Sequence, residues 1–180
     1  FDDEGKMLYG WVDENTAERI DNTDGDAFKS GVYYFGGEDD GAMTTGWLLM
    51  DVTYSEAEED YQIAPAFNDD EDQSRWFYFK SNGKKVQSSD SLDTKEKTIN
   101  GKKYAFDVNG AMVAEWSLDV DKASANLAVQ GATTGQAQKK GTYAQYSQAW
   151  RYFNSVEDGS RVSKGWFKVV SAEYLNSEKY

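Results

Sequence analysis

The chain contains neither His nor Cys, which removes Ser/His and Cys/His nucleophiles and every imidazole or thiolate metal site. Two kinds of residue remain that could do chemistry, carboxylates and aromatic rings. The carboxylates gather at Glu56, Glu58, Glu59 and Asp60 and at Asp69, Asp70, Glu71 and Asp72. Glycoside hydrolysis needs a carboxyl pair in which the environment raises one pKa selectively. Consecutive like charges in an insertion supply no such asymmetry and read as a solvated run, so no catalytic residue is assigned and the chain is read as not an enzyme. Asp21, Asp24 and Asp26 surround Gly25, but a calcium loop places its Gly five residues after the first Asp and here it follows by four. That segment reads as a turn, and no metal or cofactor is expected. The rings are the remaining candidates. Six Trp and twelve Tyr offer flat faces that stack on sugars and attract cations. The candidate ligand-facing set is Trp47 with Trp76 and Tyr78, Trp116 with Trp150 and Tyr152, Trp11 with Tyr34, and Trp166.

Leu, Ile, Val and Phe number only 31 of 180 residues, and the net charge is −13, a balance found in disordered segments. The aromatic content of 15% opposes that reading, because each buried ring removes roughly 150–250 Å² from water. Many thin, ring-built cores are expected in place of one aliphatic core. The acidic balance argues against nucleic acid, whose nonspecific binding requires Lys and Arg to displace counterions. Membrane insertion is also not expected, since no apolar run approaches the ~18 residues of a spanning helix. The opening Phe-Asp-Asp-Glu, without an initiator Met, reads as part of a longer protein.

A repeat positions the rings. Phe1 through Gly5 and Met7 to Gly10-Trp11 matches Phe35 through Gly41 and Met43 to Gly46-Trp47. The frame returns in Phe106, Gly110, Met112 and Trp116, and again in Phe153, Gly159, Val162 and Gly165-Trp166. A damaged copy runs from Trp76-Phe77-Tyr78-Phe79 through Gly83 and Val86 to Ser89, where Trp is expected. The turn Gly precedes Trp by six residues in three copies and by seven in a fourth. Each copy predicts a β-hairpin: an aromatic strand, a turn such as Asp40-Gly41, Asn82-Gly83, Asn109-Gly110 or Asp158-Gly159, and a second strand ending at Trp. Alternation along a strand assigns Phe1, Phe35, Phe79, Phe106 and Phe153, with Met7, Met43, Val86, Met112 and Val162, to the interior. The Trp and Tyr column then meets ligand.

Tyr33-Tyr34-Phe35 with Asp40-Gly41-Ala42-Met43-Thr44-Thr45-Gly46-Trp47, and Ile99-Asn100-Gly101-Lys102-Lys103-Tyr104-Ala105-Phe106, resemble the choline-binding or glucan-binding type of cell-wall-binding repeat and its relatives in clostridial toxins. The resemblance covers about half of the chain. It implies an all-β left-handed solenoid of stacked hairpins, with repeats of roughly twenty residues and aromatic cages between hairpins that hold choline or sugar. It further implies a module attached to a secreted or surface protein of a Gram-positive bacterium. The whole chain, 1–180, reads as one such solenoid fragment with repeat cores near 1–12, 32–48, 76–89, 103–117 and 150–167.

Departures from the family lie in the connections, since successive Phe positions are 34, 44, 27 and 47 residues apart. Val12 to Ser30 reads as a loop or irregular hairpin, Leu48 to Tyr54 as a strand, Ser55 to Tyr61 as a turn of helix ended by Pro65, and Gly131 to Gly141 as a loop. Between the third and fourth copies Ser89, Lys103 and Ala105 stand where rings are expected, so no cage is expected there. Two functions compete. One is a noncatalytic module binding cell-wall teichoic acid, glycan or choline through the aromatic pockets. The other is an architectural or protein-binding solenoid that presents its acidic insertions to another surface protein. The first is preferred, with carbohydrate favoured over choline because the third and fourth copies lack the three aromatic walls of a repeated choline cage.

Overall fold

The structure, a computed structural model, describes residues 1–53, 72–89, 94–118 and 150–169, with backbone alone at 72, 73, 116, 118 and 150. The expectations for 55–65 and 131–141, and the carboxylate runs at 56–60 and 69–71, lie outside them. Among the described residues there are eight strands and no helix: β1 (Trp11–Val12), β2 (Tyr33–Tyr34), β3 (Gly46–Thr53), β4 (Asp72–Phe79), β5 (Lys95–Ile99), β6 (Lys102–Phe106), β7 (Glu115–Leu118) and β8 (Trp150–Phe153). They pair consecutively as four antiparallel two-stranded sheets, so the described chain is all-β.

The pairing differs from expectation in its frame. The ladders join the Trp strand of one copy to the aromatic strand of the next: Trp11 opposes Tyr34, Trp47 opposes Tyr78, and Trp116 opposes Tyr152. The glycine turns are tight and carry little ladder of their own, a single bridge at Phe79–Lys85, Phe106–Met112 and Phe153–Arg161. Backbone valency explains this. In each turn the second residue after Gly directs its N–H away from its own copy. Lys85 donates to the Val32 carbonyl, Met112 to that of Trp76, and Arg161 to that of Lys103, at 2.7–2.8 Å. Each acceptor lies three residues before the Phe of the preceding copy, so the amide that would lengthen one hairpin ties it to its predecessor. A second recurrent bond runs within each copy to the carbonyl before Phe: Thr44 N–H to Tyr34, Val86 to Tyr78, Val113 to Ala105 and Val162 to Tyr152.

Side chains repeat the same relation. A Cβ on Gly41 would strike Met7, one on Gly83 Met43, one on Gly110 Lys85, and one on Gly159 Met112, each within 2.3–2.6 Å. Every turn glycine is therefore covered by the residue two places after the preceding turn glycine. Lys85 and Arg161, and not Val86 and Val162, are thus the counterparts of Met43 and Met112, although Val86 is buried as expected and Val162 half-buried. Phe79, Phe106 and Phe153 are buried as expected, whereas Phe35 is half-buried and Phe1 is 82% exposed. Met7 and Met43, expected inside, are exposed too, whereas Met112 is buried.

The segment after β1 contributes to the core. Arg19 bridges back to Val12, the Asp13 carboxylate accepts the N–H groups of Asn15 and Thr16, and the following turn delivers Ala27 and Phe28. These pack with Trp11, Val52, Phe77, Phe79 and Ala111 in one cluster, lined by Tyr34, Leu48 and Met50. A second cluster holds Val86, Ile99, Phe106 and Met112, and a third Ala105, Val113 and Phe153. β5 and β6 meet at a two-residue turn in which Asn100 and Gly101 both have positive φ, 48° and 80°, the primed geometry that matches strand twist.

Candidate functional site

Each junction between consecutive hairpins places the Trp strand of one against the next. At the first junction Trp11 lies edge-on to Tyr34 and Phe77, with centroids 5.2 and 5.5 Å apart, and 5.9 Å from Phe79. Leu48 and Phe77, paired across β3 and β4, close it. Trp11 is only 2% exposed, so this ring, expected to face ligand, belongs to the core. Above it sits a cation of the chain's own. The Lys85 ammonium lies 5.1 Å from the Trp11 ring centroid and donates a hydrogen bond to the Phe28 carbonyl. Burial lowers its pKa from the ordinary 10.5 to about 7, against the opposing influence of the Asp107 carboxylate.

The second junction is open. Trp47 is the hub, 5.1 Å from Tyr78, 6.1 Å from Trp76, 4.8 Å from Tyr104 and 5.8 Å from Phe106. Register produces this arrangement: Trp47 opposes Tyr78, Leu49 opposes Trp76, and the next hairpin presents Tyr104 and Phe106 on one face. Trp47, Trp76, Tyr78 and Tyr104 are half-buried around the second cluster, and Leu49 beside them is exposed. The structure thus brings together the expected Trp47, Trp76 and Tyr78 and adds Tyr104. Its parity with Phe106 is legible in the sequence, but Ser89, Lys103 and Ala105 at the expected ring positions of its copy mask it. Lys97, opposite Tyr104, places its ammonium 5.8 Å from the Tyr78 centroid.

At the third junction Glu96 opposes Ala105 where Trp47 opposes Tyr78. The residue standing in for Trp is therefore Glu96, and Ser89 lies before the strand. Glu96 accepts from Arg161 Nη1 at 2.9 and 3.2 Å and pairs with Lys103 at 3.7 Å. The residue two after the next turn glycine thus matches what it covers: Lys85 an aromatic face, Met112 an apolar cluster, and Arg161 a carboxylate. In the fourth sheet, register sets Trp116 opposite Tyr152 and Leu118 opposite Trp150, while the side chains of Trp116 and Trp150 lie outside the described residues. Trp166, beyond the last turn, is fully exposed.

No family model and no curated protein matches the chain. Among solved structures, choline binding protein F from Streptococcus pneumoniae aligns at 23% identity over 94% of this chain and 32% of its own, with a TM-score of 0.45. The choline binding domain of a second Streptococcus pneumoniae protein aligns at 18% identity over 59% of this chain and 96% of its own, with a TM-score of 0.31. CbpJ from the same organism aligns at 18% over 90% and 38%, with a TM-score of 0.24. The chain spans about a third of the length of the first of these. The superpositions are too loose to establish a shared fold, and the reading of the site rests on its own residues.

Proposed function

We propose that this chain is a noncatalytic binding module: hairpin units stacked in sequence order as a solenoid, attaching a larger secreted or surface protein of a Gram-positive bacterium to cell-wall polymer or extracellular glycan. The observation that carries this reading is the half-buried ring set Trp47, Trp76, Tyr78 and Tyr104 at the second junction. Trp11, the counterpart of Trp47 at the first junction, is fully covered. A partly open Trp flanked by three rings offers a stacking face, and with an ammonium already beside Tyr78 a sugar fits it better than choline. Stacking also needs no pKa-matched carboxyl pair, in keeping with a noncatalytic role.

Calorimetric titration with cell-wall oligosaccharides and with choline tests the reading. Trp47→Ala should weaken glycan binding at least about fivefold, the equivalent of roughly 1 kcal/mol, while thermal unfolding stays cooperative. Unchanged glycan affinity would leave an architectural or protein-binding solenoid, the reading that the closed first junction favours for its own rings.

A further inference from the structure

The cross-strand pairs that close the two ring junctions differ. Leu48 and Phe77 seal the first, and the corresponding residues at the second, by register from the bridge outward, are Lys97 and Tyr104. Replacing an apolar lid by an ammonium and a phenol is costly unless both groups retain contact with water or a ligand, and both are half-buried.

The partners of that ammonium are informative. The chain has 32 carboxylates against 19 basic side chains, and Lys6, Lys84, Lys102, Lys103 and Arg161 all sit within 4 Å of a carboxylate oxygen. Lys97 and Lys95, two residues apart on the face that bears Tyr104 and Phe106, make no ion pair with any described residue; Lys80, Lys164 and Lys168 are alike in this but lie outside the strands. Glu96 between them points to the opposite face, where Lys103 and Arg161 hold it. In so acidic a molecule, two unpaired lysines opposite the half-buried Tyr104 and the buried Phe106 form a local positive edge.

We infer that the second junction takes a sugar bearing an anionic group, a carboxylate or a phosphodiester, whose ring stacks on Trp47 and Tyr104 while Lys97 holds its charge. This rests on the glycan-binding reading above and names its ligand class. The ammonium beside Tyr78 disfavours a quaternary ammonium ligand by like charge. A charge-assisted hydrogen bond from Lys97 supplies the preference for an anion.

The test compares, at low salt, an oligogalacturonate, its neutral methyl ester, a poly(N-acetylglucosamine 1-phosphate) and choline, each on the unaltered chain, Lys97→Met, Lys97→Arg and Trp47→Ala. At least one anionic probe should bind about tenfold more tightly than the neutral ester, the effect of one charge-assisted contact. That advantage should vanish in Lys97→Met, survive in Lys97→Arg and shrink with added salt. Which anionic probe shows it separates a uronate from a phosphodiester. Equal affinity for ester and anions, or a preference that survives Lys97→Met, overturns the inference. If the neutral ester still binds and loses affinity in Trp47→Ala, the glycan-binding reading stands without it. If no glycan binds, both fall.

Discussion

Lys85 occupies the place that Met43 and Met112 hold in their own copies, yet it lies between the Trp11 ring and the Phe28 carbonyl with only 3% of its surface exposed. Its stem covers Gly110 as a methionine would, and its head reaches a partner that methionine could not. Burial holds its pKa near 7 in the folded chain, so between about pH 7 and 10.5 the unfolded chain binds more protons than the folded one. Stability rises with pH wherever that is so. The unfolding midpoint should therefore increase from pH 7 to pH 9, and this rise should be absent in Lys85→Met, measured by thermal denaturation. Below pH 7 both states carry the proton and this dependence ends. Such a residue is poorly legible in sequence, because a column chosen for hydrophobicity passes over a lysine and settles on Val86. Glycine was easier to read. Gly10, Gly46 and Gly165, each before a Trp, have positive φ, which accounts for the recurrent Gly-Trp. Glu115 adopts φ of 59° at the corresponding place, a conformation that favours glycine.

At the level of the hairpin, the aromatic strands, the turn glycines and the buried Phe79, Phe106 and Phe153 all follow from residue type and spacing. Their pairing did not, because the partner of a strand depends on where its outward amides go, and the amides of Lys85, Met112 and Arg161 go to the preceding copy. No local pattern records that choice. Phe28 escaped notice for a related reason, since a lone ring in an acidic loop has no periodicity to mark it as core. The covered glycines permit a direct test. Gly101 and Gly110 have nearly the same φ, 80° and 83°, but a Cβ on Gly101 meets nothing within 4 Å while one on Gly110 would lie 2.6 Å from Lys85 Cδ. Gly110→Ala should cost more than Gly101→Ala by about 1–3 kcal/mol, the penalty of overpacking a site that cannot yield. Denaturant unfolding of the two variants measures it, and equal losses would mean that backbone conformation alone governs both.

Across the whole molecule, excess negative charge opposes the stacking of thin units. Among the described residues the ion pairs that join different copies, Arg161 with Glu96, Lys102 with Asp158, Arg75 with Asp107 and Lys84 with Glu14, are few against a net −13. Screening should then relieve more repulsion than it removes attraction. Raising ionic strength from about 0.01 to 0.15 M shortens the Debye length from about 30 to 8 Å, and the unfolding midpoint should rise by a few degrees; a fall would mean that the inter-copy pairs dominate. The acidic composition was plain in the sequence, whereas the concentration of unpaired lysines on one ring face became visible only once register was known. That register has another effect. Thr53 opposes Asp72 and Leu118 opposes Trp150, so each ladder clamps together the two ends of a connection, whatever its length. Closure entropy grows only with the logarithm of length, so the clamp depends weakly on how many residues separate the strands it joins, 18 in one case and 31 in the other. The spine is thus a chassis on which foreign segments can be exchanged at 53–72 or 118–150 while the rows of covered glycines stay in step.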